Sequence, residues 1–422
     1  MPTDAAPALN APQKRRDNPL TRSRSGLVGL IFLVLMIIAC VGTLPWTLGS
    51  GADGVARYNE GSPRAGRLPP FWWPADEQDA ERFNANVDPA IIEALAEQND
   101  LSPIEVIAQT EGPIAEELRA HWPRYWLGTD VLGRSLLVRV LTGGGISLGV
   151  GISAAFISVC IGTLYGALAG YMGGRVDALM MRIVDVLYGL PYILLVVLLA
   201  VASDAVISEY VSRAGERERW VEARAQELMI EEGLSTNPER REIVRYLADH
   251  QGVMDELQGE ALVAVPPREV SEGTRLLLDV VVLLVAIGGV SWLTMARVIR
   301  GQVLSLKERP FIEAARATGV PPIRLFFKHL LPNLLGPVIV YATLTVPQAI
   351  LQESFLSFLG IGVKPPLPSW GNLVADGLSE LNTFRSHWWL LFFPSLLLGL
   401  TLLALNFVGE GLREAFDPKR AR

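Results

Sequence analysis

The chain has 422 residues, is 50% hydrophobic and carries a net charge of −7. Its mean hydropathy of +0.31 is higher than soluble domains usually show, so a membrane protein is the first expectation. The acidic balance argues against nucleic acid as a partner in bulk.

In chain order, a basic stretch (Lys14, Arg15, Arg16, Arg22 and Arg24) precedes the first apolar run, Leu27–Trp46. The tetrapeptide Ile37-Ile38-Ala39-Cys40 resembles a lipoprotein cleavage box. The run continues past Cys40, however, and five more follow, so an uncleaved first span is the simpler reading. Residues 51–125 hold 14 Asp/Glu against 6 Arg and include the Pro- and Trp-rich LPPFWWP (68–74). Within this block, residues 89–122 repeat Ile91, Ile92, Leu95 and Ala96 at helical spacing, and Ser102-Pro103 reads as a new helix start. The second run, Ile146–Tyr171, carries Gly162, Gly166 and Gly170 at intervals of four. Three missing side chains on one face let another helix approach closely, either at a moving interface or in static packing. The third run is Ile183–Ala202. Residues 203–273 follow, with 16 Asp/Glu against 8 Arg and two helix-biased stretches. Both acidic blocks read either as solvated decoration or as substrate contacts, and the rest of the chain sums to +9.

The fourth, fifth and sixth runs are Leu276–Ile299, Leu334–Phe358 and Trp388–Val408. About 20 apolar residues suffice to cross the hydrocarbon core as a helix, and none of the runs alternates like a barrel strand. The expectation is an all-α polytopic membrane protein with six transmembrane helices. The Lys/Arg-rich regions are 1–26, the link carrying Arg175 and Arg182, the segment 300–333 and the tail 409–422. With six spans they share one side, which the positive-inside rule makes cytoplasmic. Segments 47–145, 203–275 and 359–387 then face the periplasm. Polar residues within the runs are candidates for a translocation pathway or for helix-to-helix bonds. They are Gln348, Gln352 and Glu353 after Pro347, and Asn406; Asp185 and Asp279 lie near span ends. Cys40 and Cys160 sit inside apolar runs, where they fill space, and no metal-ligand spacing occurs.

The segment FIEAARATGVPPIRLFFKHLLPN (311–333) is too short and too charged to span. Pro310 suits a first helical turn, and Glu313 complements the helix dipole there. Ala314, Ala315 and Ala317 keep the helix slim, and Gly319 ends it in a left-handed cap. Ile323, Phe326, Phe327, Leu330 and Leu331 follow the spacing of a second amphipathic helix, with Arg324 and Lys328 opposite. His329 is expected to cap this helix, and Pro332 and Asn333 to close it. Such a knuckle suits either a cleft in another protein or the lipid headgroups.

Glu313-Ala314-Ala315, Gly319 and Leu331-Pro332, in that order, resemble the EAA loop of membrane subunits of bacterial ABC importers. His329-Leu330-Leu331-Pro332-Asn333 resembles the dipeptide/oligopeptide/nickel branch. So do WLGTDVLGRSLLVRVLTGGGISL (126–148), ESFLSFLGIGVKPPLPSWGNLV (353–374) and GEGLREAFDPKR (409–420). The resemblance is to the second permease subunit of a heterodimeric importer with the type I permease fold, here carrying two helix-rich periplasmic insertions. It implies a second homologous permease, two cytoplasmic ATPase subunits and a periplasmic substrate-binding protein as partners. Glu313, Ala314, Ala315, Arg316, Gly319, His329, Leu331, Pro332 and Asn333 would form the ATPase-coupling loop.

The chain holds five lysines, none following Gly or preceding Ser or Thr, so no P-loop is present. ATP and Mg are therefore expected on partner subunits, with no cofactor bound here. An ion channel or a membrane-embedded enzyme are the readings from other classes. The Arg repeat of a sensor helix is absent, and the intramembrane acids are scattered. Peptides are the favoured cargo, with nickel or another small solute as the alternative.

Overall fold

A computed structural model describes residues 24–51, 54–268, 271–382 and 385–416. Lys14, Arg15, Arg16 and Arg22, and the tail from Asp417 onward, which the orientation argument used, lie outside the described residues. Among the described residues six helices are long and apolar enough to cross a membrane.

The first is α1 (Arg24–Thr47). Four short helices follow: α2 (Glu77–Asn84), α3 (Pro89–Asn99), α4 (Pro103–Ile107) and α5 (Pro113–Ala120). Next come α6 (Leu136–Met172), α7 (Gly174–Tyr188) and α8 (Tyr192–Ser212). Helices α9 (Ala214–Glu231), α10 (Arg240–Asp249) and α11 (Gln251–Ala264) form the second insertion. Then come α12 (Glu272–Lys307), α13 (Pro310–Ala317), α14 (Pro322–Leu325), α15 (Leu331–Phe358), α16 (Trp370–Ser379) and α17 (Trp388–Phe416). The insertions stand at one end of the bundle, and the α12–α15 connection at the other.

The second and third spans are built differently from expectation, and α12 and α17 run on past Ile299 and Val408 to Lys307 and Phe416. The third span does not run unbroken from Ile183 to Ala202. It is cut at Gly189-Leu190-Pro191 and restarts at Tyr192. Pro191 has no N–H to continue the ladder and disfavours helical geometry at Leu190. Residues 183–188 thus belong to α7, and α8 runs on past Ala202 to Ser212. The second span starts at Leu136, ten residues before Ile146, and so includes a charge, Arg139. Arg139 is buried and bonds Asp130 at 2.6 Å. That pairing lets a charge enter the protein interior.

The bundle centres on α6 and α12. The Gly162/Gly166/Gly170 face lies directly against α12. A methyl at Gly166 would stand 2.2 Å from the Ala296 carbonyl oxygen, and one at Gly170 3.0 Å from the Arg300 oxygen. Val150, Ala154, Leu283, Ile287 and Val290 extend the contact into one buried cluster. Ion pairs fasten α7 to α12: Arg300 grips Asp177 at 2.5 and 2.6 Å, and Arg297 reaches Asp185 at 2.8 Å.

The first insertion is folded, not loose. Phe83 stacks on Trp122 at 4.5 Å, and Asn84 bonds the carbonyls of Ile107 and Gln109 and the Trp122 indole. Ser102 caps α4 through a reciprocal bond with Glu105, as Ser102-Pro103 suggests. The insertion docks on the α16–α17 corner. Arg67 forms a fork on Glu380 at 2.7 and 2.9 Å, and Arg385 meets Asp76 and Asp79. Arg67 holds the Glu380 carboxyl below its ordinary range, whereas burial pushes His387, 3.1 Å from Glu380, down from 6.5. The second insertion packs Val221, Ala225, Ile243, Tyr246 and Leu257 into a small core of its own. A cleft of about 690 Å³ opens beside that core.

Candidate coupling loop and translocation face

The loop is built onto the end of α12. There Lys307 Nζ donates to the Gly170 and Tyr171 carbonyls, at 3.2 and 3.0 Å, capping α6. Pro310 opens α13 at its first turn, where a missing N–H is harmless. Ile312 and Ala315 point inward and pack with Leu325 and Leu330, next to Tyr171, Leu306, Val320 and Phe326. Tyr171 also donates its hydroxyl to the Pro322 carbonyl at 3.1 Å.

The helix then stops in a Schellman arrangement. Gly319 N–H bonds the Arg316 carbonyl at 3.0 Å, and Val320 N–H reaches back to Ala315 at 3.1 Å. Gly319 has φ = +76°, the left-handed geometry that favours glycine. Glu313, Ala314, Arg316, Ala317 and Gly319 stay exposed. The three alanines therefore do not share a face: Ala315 anchors the helix, and Ala314 and Ala317 look outward.

The second half of the loop departs from its expected form. Pro332 and Asn333 do not close a helix, and His329 does not cap one. The chain passes from α14 through a π-turn, Phe326–Leu330, straight into α15. Pro332 explains the turn. In a regular α-helix its ring would clash with the Lys328 carbonyl, and its missing N–H would leave that carbonyl unpaired. Widening the turn by one residue, with Leu331 N–H bonded to the Phe326 carbonyl, relieves both. The His329 carbonyl accepts from Asn333 Nδ2 at 2.6 Å, so these two residues stabilise the joint. Leu331 is half-buried, and Pro332 and Asn333 are exposed.

The same turn shifts the apolar face by one register. Leu325, Phe326 and Leu330 point in, whereas Ile323 and Phe327 point out, 74% and 59% exposed. With Phe311, also exposed, they place apolar groups beside the Glu313–Gly319 strip. Helical periodicity alone assigns Ile323 and Phe327 to the apolar side and passes over Leu325.

The polar span residues separate. Gln352 joins three helices: its Oε1 accepts from Tyr192 of α8 at 2.7 Å and lies 3.3 Å from Ser291 of α12. Gln348, one turn earlier on α15, is exposed, as is Asn406 on α17. Glu353 is fully buried and bonds Ser357 at 2.7 Å and Ser354 at 3.3 Å. Asp279 lies 3.7 Å from Lys364, which pairs more closely with Asp204 at 2.5 Å.

The sequence that builds this loop matches known proteins. The sequence pattern of the binding-protein-dependent transport system inner membrane components fits residues 162–422. The chain belongs to this family. It is 39% identical over 295 residues to the oligopeptide transport system permease protein OppC of Haemophilus influenzae, covering 70% of each chain. It is 37% identical over 322 residues to the dipeptide transport system permease protein DppC of Bacillus subtilis, covering 76% of each. To OppC of Escherichia coli K12 it is 40% identical over 295 residues, covering 70% of this chain and 72% of the relative. This inner membrane component is thus a multi-pass permease subunit, and the matched region contains the whole α12–α15 loop.

Proposed function

We propose that this permease is a subunit of an ATP-driven importer that moves di- and oligopeptides across the bacterial inner membrane. The relatives' names, oligopeptide and dipeptide permeases, support the cargo. The observation that carries the coupling role is the anchored loop. The helix α13 presents Glu313, Ala314, Arg316 and Ala317 to a partner while Ile312 and Ala315 root it in the bundle. In this reading the exposed strip docks in a groove on a cytoplasmic ATPase subunit, which binds ATP and Mg. The chain itself contributes no ATPase site, and both termini are cytoplasmic. A second, homologous permease completes the conduit, and a periplasmic binding protein delivers cargo near α16.

Closure of the ATPase pair pushes α13. The Ile312/Ala315/Leu325/Leu330 cluster passes the displacement to α6 and α12, which the glycine face locks into one body. The body rocks between inward- and outward-facing states, with Gln348 and Gln352 of α15 on the pathway side.

Glu313→Lys tests the coupling. Glu313 is exposed, and loss of its dipole contact costs only about 0.3–1 kcal/mol. The variant is therefore expected to assemble in the membrane with its partners yet fail to take up peptide in reconstituted vesicles. Normal uptake would refute the docking role. Stable transport by this chain alone, without ATPase subunits, would refute the importer reading as a whole.

A further inference from the structure

The LPPFWWP loop (68–74) plays no part in the coupling described above. It carries no charge, yet Phe71, Trp72 and Trp73 are all exposed, the two indoles at 49% and 45%. Trp126 joins them: Phe71 meets it edge-on at 5.0 Å, and Trp72 Nε1 donates to the Trp126 carbonyl at 2.8 Å. The loop is stiff. Prolines 69, 70 and 74 flank the aromatics, Phe71 N–H bonds the Tyr125 carbonyl and Trp73 N–H the Pro70 carbonyl. Four large aromatic rings are thus held about half exposed, and among the described residues nothing covers their outward faces.

Their height in the bundle identifies what covers them. Trp73 packs on Trp388 at 5.0 Å, and Trp388 is the first residue of the spanning helix α17. From there Phe392, Leu396, Leu400 and Leu403 are exposed at helical spacing, an apolar stripe running down α17. The neighbouring helix α1 runs antiparallel and ends at the same level. Its exposed Trp46 lies beneath the Arg57 guanidinium, 5.3 Å away. Two span ends therefore mark one plane, and the aromatic loop lies in it, continuous with the outward face of α17. Indole rings prefer the boundary between acyl chains and headgroups, where the ring is apolar and its N–H is wet.

We infer that the Phe71-Trp72-Trp73 loop beds in the interfacial zone of the phospholipid bilayer, on the side away from the coupling loop. The first insertion is then held at two points: to lipid through these rings, and to α16 through Arg67–Glu380 and Arg385–Asp76/Asp79. Lipid thereby fixes the insertion beside the α16–α17 corner.

The test uses the full chain with its partner subunits in vesicles of phosphatidylethanolamine and phosphatidylglycerol, brominated near the headgroup. Bromine quenches only tryptophans that touch lipid. The conservative double variant Trp72→Phe/Trp73→Phe removes two of ten tryptophans. The lipid-quenched part of the emission is expected to fall below that of the parent complex, whose partner-subunit tryptophans are the same in both samples. Trp122→Phe, a partly buried ring stacked on Phe83, removes an indole from the same insertion and should leave that part unchanged. Equal quenching in the parent and the double variant would overturn the proposal and assign the patch to water or a protein partner. So would a loss matched by Trp122→Phe.

Discussion

Gly319→Val isolates the backbone geometry of the proposed coupling loop from its surface. A Cβ added at Gly319 meets nothing within 4 Å, so no clash contributes. The cost comes from φ = +76°, which an L-residue adopts at about 1–2 kcal/mol, a β-branched one at the upper end. The chain cannot relax that strain cheaply. Moving φ to a negative value would release the Gly319–Arg316 and Val320–Ala315 bonds and pull Val320 from the Ile312/Ala315 cluster. At 1.4 kcal/mol per tenfold, 2 kcal/mol displaces the loop from the conformation proposed to dock by roughly 30-fold. Asn tolerates the left-handed region and provides the control. Peptide uptake by the reconstituted complex is the assay, with membrane content of the complex measured separately. Gly319→Val is expected to cut uptake at least ~10-fold at unchanged complex content, and Gly319→Asn to stay within about threefold of the parent. Normal uptake by the Val variant would refute the reasoning. Equal loss in both variants would show that the bare surface of glycine matters, not its backbone.

Gly166→Ala would press a methyl to 2.2 Å from the Ala296 carbonyl, a backbone atom that cannot move alone, so a loss of about 3 kcal/mol is expected. Gly170→Ala, at 3.0 Å, should cost clearly less, and equal melting losses for the two in detergent would contradict the packing described. His387 lies below its ordinary pKa of 6.5 because it is buried, so the folded chain refuses a proton that the unfolded chain accepts. The stability it contributes above that pH is therefore lost as pH falls through 6.5, and His387→Phe should flatten the fall in melting temperature between about pH 7.5 and 5.5. Glu380, held down by Arg67, has the same sign but acts only below 4.5, outside that window. Identical slopes in parent and variant would count against the buried-imidazole argument.

Much of this protein is decided by composition and local chemistry. Twenty-residue apolar runs must become helices in a bilayer because no other segment satisfies its own backbone there. Pro310 and Gly319 start and stop α13 through their fixed and permissive φ, which any neighbour of theirs would feel. The tertiary structure decided the rest. Arg139 lies within the second span because the fold brings Asp130 to 2.6 Å and compensates its charge. Pro332 reads locally as a terminator, yet the helix survives it through a π-turn. That turn rotates Ile323 and Phe327 outward and Leu325 inward, a shift that helical periodicity cannot register. The glycine face reads in sequence as a surface for close approach, and the fold decides that α12 is the helix seated on it. The exposed residues of the loop depend on which side chains the bundle claims first. Ala315 and Ala314 are chemically identical neighbours. Only the cluster of Ile312, Leu325 and Leu330 makes one an anchor and leaves the other exposed.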